Sequence, residues 1–291
     1  MTRYTIYLGC MIPMRFPSVE KSARLVFADL GAEIVDLDGY TCCPDPVLTR
    51  LAEDEFSLAL SARNLALAEK LGNDLLVLCN GCFETLVEAN EALQDSAVRA
   101  RINSMLAKEG LEYTGNIRIR SLIDVLTEDF RPGEIAASVN KPIPVKAACH
   151  TGCHMLRSAT HPRERVKLLE DLAVSVGAEA VPYGRELDCC GFPASIADEA
   201  MAMKFIISPK LDAIKKSGAE VIATGCPTCL YQLEANQAAM KKLGGDFDLP
   251  VLHILELMAL AFGHSPDSLG LELHRSPVKA FAEKNWGGSD D

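Results

Sequence analysis

Basic residues are scarce in this 291-residue chain: Lys and Arg number 29 against 40 Asp and Glu, a formal net charge of −11. Such an excess of acid repels nucleic-acid phosphates and anionic lipid surfaces, so neither is an expected partner, and an anionic ligand would need a local basic pocket. Long apolar runs are missing as well. The longest, Val251 to Gly263, is far short of a membrane span and holds His253 and Glu256. The first ten residues carry one basic residue and a strand-like stretch with two tyrosines. That is not the order of a signal peptide, so a cytoplasmic, reducing location is expected. No Gly-x-Gly-x-x-Gly turn offers a dinucleotide cradle, and no closely spaced cysteine run offers a ferredoxin centre. Electrons, if this chain handles them, must come from another protein.

Cysteine is the exception, with 11 residues in a chain too long to need disulfide staples. The first set runs Cys10, 31 residues, Cys42-Cys43, 35 residues, then Cys79-Asn80-Gly81-Cys82. The second runs Cys153, 35 residues, Cys189-Cys190, 35 residues, then Cys226-Pro227-Thr228-Cys229. Cys149 alone is left over. The last four members of each set are related by a constant shift of 147 residues. Flanking residues repeat with them: Gly31-Ala32-Glu33 and Gly177-Ala178-Glu179 precede the paired cysteines, and Glu88-Ala89-Asn90 and Glu234-Ala235-Asn236 follow the CxxC. This is an internal duplication. It divides the chain into residues 1–140, 141–270 and a tail 271–291, with a junction at the Pro-rich Lys141-Pro142-Ile143-Pro144.

Each half alternates short apolar runs with helical patterns, which predicts parallel βαβ units and an α/β fold. Strands are expected at Tyr4–Leu8, Glu33–Leu37 and Leu75–Leu78, then at Val145–Ala148, Ala178–Val181 and Val221–Thr224. Helices are expected from about Val19 to Leu30, capped by Ser18 and ended by Gly31, and from about Phe56 to Leu71. Every repeated cysteine element then follows a strand, at the carboxyl edge where ligands bind in open α/β sheets. A CxxC opening a helix also gains thiolate stabilisation from the first-turn amides. Five thiols per module exceed what the simple chemistries use: two for a thioredoxin-like couple, four for closed zinc, four for a cubane. Adjacent cysteines suit a more open cluster. Cys149, outside the pattern, reads as a small core residue.

The pattern resembles the cysteine-rich CCG domain, and two copies in a chain this long resemble the B subunit of heterodisulfide reductase. Tyr7-Leu8-Gly9-Cys10, Leu78-Cys79-Asn80-Gly81-Cys82, His150-Thr151-Gly152-Cys153-His154 and Val251-Leu252-His253 with Leu269-Gly270-Leu271 carry the resemblance over roughly residues 4 to 275. It implies two pseudo-symmetric CCG domains, each a small, mostly parallel sheet with flanking helices. It implies one noncubane [4Fe-4S] cluster in each. Cys10, Cys42, Cys43, Cys79 and Cys82 would hold the first, and Cys153, Cys189, Cys190, Cys226 and Cys229 the second. Cys149 also fits the permitted interval, but Cys153 shares the Gly-Cys context of Gly9-Cys10. Pro44 after the first pair, where the family has Gly, and Phe192-Pro193 after Gly191 depart from the pattern.

The resemblance further implies a catalytic subunit that reduces the coenzyme M–coenzyme B heterodisulfide to two thiols. Its partners would be the iron–sulfur C subunit and the flavin-containing A subunit of the same complex. The anionic substrate calls for basic residues, for which Arg15 and Arg157 are candidates and Lys210 a weaker one. His150 and His154 flank the second site as proton donors or as hydrogen bonds to the cluster. The segment Leu252–Phe262 reads as a core helix, with docking as the alternative. Other readings are a CCG subunit of a succinate dehydrogenase or fumarate reductase-type complex, and a zinc-bearing scaffold.

Overall fold

A computed structural model of the chain describes residues 2–44, 54–157, 161–242 and 245–286. It contains two four-stranded sheets, each wholly parallel. The first has the order β2-β1-β3-β4, from β1 (Arg3–Tyr7), β2 (Glu33–Asp36), β3 (Asp74–Val77) and β4 (Ile119–Ser121). The second repeats it as β6-β5-β7-β8, from β5 (Lys146–His150), β6 (Glu179–Ala180), β7 (Val221–Thr224) and β8 (Val251–His253). The protein is therefore α/β and pseudo-symmetric. Each expected strand is present; the fourth strand of each sheet was not expected.

Parallel strands must be covered on both faces, so the intervening chain is helical. In the first half these helices are α1 (Met11–Arg15), α2 (Pro17–Asp29), α3 (Asp54–Glu69), α4 (Asn80–Ala92), α5 (Ser96–Leu106), α6 (Leu122–Glu128) and α7 (Pro132–Ala137). In the second half they are α8 (Cys153–Arg157), α9 (Pro162–Ser175), α10 (Phe192–Ala197), α11 (Glu199–Ala202), α12 (Ser208–Lys216), α13 (Pro227–Lys242) and α14 (Ile254–Phe262). Helices α15 (Pro266–Leu269) and α16 (Val278–Trp286) complete the described chain. Ser18 does not cap α2. Phe16 holds the cap position and Pro17 opens the helix, where its fixed φ and missing N–H cost nothing.

The halves share a core. Tyr4, Ile6, Val26 and Phe27 from the first and Ala147, Leu169, Val221 and Met258 from the second belong to one buried cluster, with α2 lying against α14. Helix α14 is buried on every side, which accounts for its unbroken apolar sequence and makes it a core helix. No helix among the described residues is long and apolar enough to cross a membrane. The junction is anchored too, since the amides of Asn140 and Lys141 both donate to the Ala261 carbonyl at 2.9 Å. Residues from 271 on, separated by sequence as a tail, pack onto the second half as far as described: His274 is enclosed by glutamates, and Val278 and Ala282 are fully buried.

The strand order fixes the site. Chain leaving β1 toward β2 and chain leaving β3 toward β4 turn to opposite sides of the sheet, opening a crevice at their carboxyl ends. The same holds for β5 and β7.

Candidate functional site

In the first module Cys10 caps α1 and Cys79 caps α4, placing Cys82 in the first turn of that helix. Cys43 Sγ lies 2.8 Å from Cys82 Sγ, and Cys42 reaches Cys10. Gly9, two residues past β1, has φ +65°, and a Cβ there would stand 2.8 Å from Cys82 Sγ. Glycine is needed both for the backbone conformation and for the closeness of the thiol. Beneath the site Tyr7 donates its hydroxyl to the Thr41 carbonyl at 2.7 Å and accepts from Asn64 Nδ2 at 3.2 Å. Burial, reinforced by Cys82, Cys43 and Cys42, keeps its phenol well above the ordinary range, so it stays neutral.

The second module repeats the plan. Gly152 has φ +95°, and a Cβ there would lie 3.3 Å from Cys229 Sγ and 2.8 Å from Asn80 Nδ2. Cys153 Sγ is 3.6 Å from Cys189 Sγ, the Gly191 amide donates to Cys189 Sγ at 3.3 Å, and Cys190 contacts Cys229. Cys149 sits elsewhere, inside β5 opposite Ala223 and within the shared apolar core. Burial pushes its thiol up to about 12. No sulfur contact of Cys149 with the set that contains Cys153 is seen among the described residues.

His150 occupies the place of Tyr7, at the carboxyl end of the first strand of its sheet. A ring nitrogen of His150 and the Cys190 and Cys229 sulfurs all lie within 4.8 Å of one another. Burial, with Lys210 adding to it, pushes His150 down to about 3 and keeps the ring neutral. Lys210, the weaker basic candidate, is fully buried behind the second thiol set. Its Nζ donates to the Arg185 carbonyl at 2.6 Å, lies 3.4 Å from His150 Nδ1 and stands 5.2 Å from the centre of the Tyr183 ring. Burial lowers it to about 8.

The two sets meet. Cys79 and Cys226 are in side-chain contact across the module boundary, and Cys79 Sγ lies 3.8 Å from Thr228 Oγ1. Asn80 Nδ2 donates to the Thr151 carbonyl at 2.6 Å. Hydrogen bonds from Cys229 and Cys79, supported by the Cys229 and Asn80 amides, hold the Cys226 thiol well below its ordinary value. The short helices cross over, α8 packing on α4 and α1 on α13, so each module's first-cysteine helix rests on the other's CxxC helix. At the rim Glu84 of α4 is bound by His154 Nδ1 and lies 3.5 Å from Arg157. Burial alone would raise the Glu84 carboxyl, but the hydrogen bond to His154 and the nearby Arg157 hold it below the usual range. Arg15 and Arg157 are exposed at the ends of α1 and α8.

Sequence reasoning gave no role to Tyr7, Thr41, Asn64, Glu84 or Tyr183. One signal was legible: Tyr7 and His150 both stand three residues before the first cysteine of their set.

None of the 11 cysteines is in a disulfide, although sulfurs from distant strands approach within a few ångströms in a buried cluster. Thiol sets of this kind, with glycine and backbone amides against the sulfurs, fit iron–sulfur ligation. Four-ligand zinc would leave one thiol of each set over.

The CCG cysteine-rich domain family matches this chain twice, at residues 4–87 and 147–234. The B subunit of the ferredoxin:CoB-CoM heterodisulfide reductase of Methanosarcina mazei is 35% identical over 282 residues, covering 94% of this chain and 93% of that protein. The chain belongs to the family of heterodisulfide reductase B subunits. The family's relatives extend beyond one enzyme name. The 8-methylmenaquinol:fumarate reductase membrane anchor subunit of Wolinella succinogenes is 32% identical over 285 residues, covering 92% of this chain and 95% of that one. Among solved structures, a hypothetical protein from Helicobacter pylori superposes with a TM-score of 0.74 at 19% identity. It covers 94% of this chain, which in turn spans 52% of that one; the likeness is one of fold.

Proposed function

We propose that this chain is the disulfide-reducing component of a heterodisulfide reductase complex. The substrate would be the mixed disulfide of coenzyme M and coenzyme B. The balance is RS–SR′ + 2 e⁻ + 2 H⁺ → RSH + R′SH, with electrons supplied by the iron–sulfur C subunit, which the flavin-containing A subunit feeds. Cys10, Cys42, Cys43, Cys79 and Cys82 would hold one noncubane [4Fe-4S] cluster, and Cys153, Cys189, Cys190, Cys226 and Cys229 the other. Bound there, these groups would supply electrons one at a time and thiophilic iron to the separating sulfurs.

The observation that carries the reading is the contact of Cys79 with Cys226. It sets the two thiol sets against each other across the pseudo-symmetry, so that the two halves of one S–S bond can address different modules. The remaining residues bind and protonate. Arg15 and Arg157 would meet the anionic ends of the substrate, since they are exposed at equivalent ends of α1 and α8. With Nδ1 of His154 committed to Glu84, its Nε2 is the ring position left to deliver a proton to a departing thiolate. A cytoplasmic site of action is part of this proposal.

The test is turnover of the anaerobically isolated chain with a reduced one-electron dye and the heterodisulfide. The reading predicts two thiols formed per disulfide and an EPR signal altered by coenzyme M thiol. The Wolinella relative favours a second reading, a CCG subunit passing electrons between quinol and a fumarate reductase partner. Cluster signals indifferent to either thiol but responsive to a quinol would select it.

A further inference from the structure

Around the second thiol set three buried polar atoms are left without a partner among the described residues, Thr151 Oγ1, His253 Nε2 and His150 Nε2, and only the last belongs to a ring that approaches the Cys190 and Cys229 sulfurs. His150 is fully buried, and its Nε2 has no hydrogen-bond partner among the described residues. A buried donor is costly to leave unmatched, so such an atom points to an acceptor that the protein itself does not provide. The other ring nitrogen shows which form the imidazole takes. Nδ1 lies 3.4 Å from Lys210 Nζ, and an ammonium has donors only. Nδ1 must then be the accepting nitrogen and the ring proton must sit on Nε2. Lys210 is held for this task by its bond to the Arg185 carbonyl at 2.6 Å. A ring nitrogen of His150 and the Cys190 and Cys229 sulfurs lie within 4.8 Å of one another, so sulfur is the acceptor chemistry that the ring approaches.

Among the described residues, the matching strand end of the first module carries no such donor. Tyr7, at the matching strand end, spends its hydroxyl proton on the Thr41 carbonyl, and Asn64 sits on that hydroxyl.

We infer that His150 is the sixth protein group at the second centre, an Nε2–H donor to a cluster or thiolate sulfur, with Lys210 as the residue that positions its proton. The inference rests on the iron–sulfur reading above. Hydrogen bonds to the sulfurs make a cluster easier to reduce, and a buried ammonium behind the ring acts in the same direction. The second cluster is accordingly the higher-potential member of the pair, where the first electron to arrive settles.

The experiment is an EPR-monitored potentiometric titration of the anaerobically isolated full chain, with iron and acid-labile sulfide counted in every variant first. Wild type should show two transitions. In His150→Leu and in Lys210→Met the upper one should move to lower potential by at least tenfold in the reduction equilibrium, about 59 mV for a one-electron couple. His150→Gln, whose amide can replace the Nε2–H, should recover most of the shift, and Tyr7→Phe should move neither transition. A shift of the lower transition, or none with clusters intact, overturns the inference. Pulsed EPR of wild type with isotopically labelled histidine decides the matter where a variant fails to load its clusters. A weak coupling from a hydrogen-bonded nitrogen is expected; no coupling, or the strong coupling of a nitrogen bonded to iron, contradicts it. Absence of iron from wild type sinks the proposed function instead, independently of His150.

Discussion

Across the carboxyl ends of the first sheet the paired positions are Tyr7, Val77 and Ser121; across the second they are His150, Thr224 and His253. Behind the first row stands Asn64, and behind the second Lys210. The thiols are duplicated with their glycines, Gly9 and Gly152, and with their helix openings. The surroundings are not. One module closes its site with neutral, committed hydrogen bonds, and the other encloses a charge and an imidazole. Ligand geometry tolerates little change because each sulfur must point to one place, whereas the layer behind the ligands tunes what they hold and is free to diverge.

The buried ion networks differ in the same way. In the first module Arg120 is bound by Asp129 and Glu128 and, more loosely, by Asp74, and arginine does not titrate in the accessible range. In the second module His274 bridges Glu234 at 2.7 Å and Glu256 at 3.0 Å. Burial opposes its charge, but the two glutamates win and raise it to about 10.

The largest effect that would separate the modules is loss of a ligand. Cys43→Ser and Cys189→Ser should each abolish disulfide reduction and remove about half of the iron, from the first and the second site respectively. Metal analysis with EPR of each variant checks this, and loss of all iron from either would show that the sites do not load independently. Next come the glycines. Gly9→Ala and Gly152→Ala each force a side chain into left-handed backbone, against Cys82 Sγ in the first case and against Asn80 Nδ2 and Cys229 Sγ in the second, with about 1–2 kcal/mol of backbone strain before any clash. Denaturant melts should fall by at least that much, each with depletion of its own module's cluster.

A smaller contrast is in pH. Because His274 is raised above its unfolded value near 6.5, its contribution to stability is complete below that pH and is lost as pH rises through about 10. Stability should therefore decline between pH 6.5 and 10, and His274→Gln should flatten that limb; an unchanged slope would remove His274 from the account. The smallest effect is expected at Cys149→Ser. It alters a core strand and no ligand, so iron content should stay whole with a cost of about 1 kcal/mol. Iron loss there would transfer the ligand role from Cys153 to Cys149.

The frame of thiols was legible because cysteines repeated at fixed spacing after strands serve ligation or redox chemistry far more often than packing, and the first three strands of each sheet because their apolar runs are bounded by turns. The fourth strands were hidden for local reasons. Ile119–Ser121 is only three residues long, and Val251–His253 runs without a break into the buried helix after it. Lys210 was legible only as a basic candidate; its burial beside His150 depends on a contact with β5 that no local pattern contains. Glu84 likewise gains its meaning from His154 and Arg157 of the other module, a pairing that no local pattern contains.

Two five-cysteine sites, one in each module, are proposed to hold iron–sulfur clusters in a single chain. Iron, zinc and acid-labile sulfide counted on the anaerobically purified protein test it most directly. About eight irons and eight sulfides per chain are predicted. Zinc without sulfide, or iron sufficient for one cluster only, would contradict it.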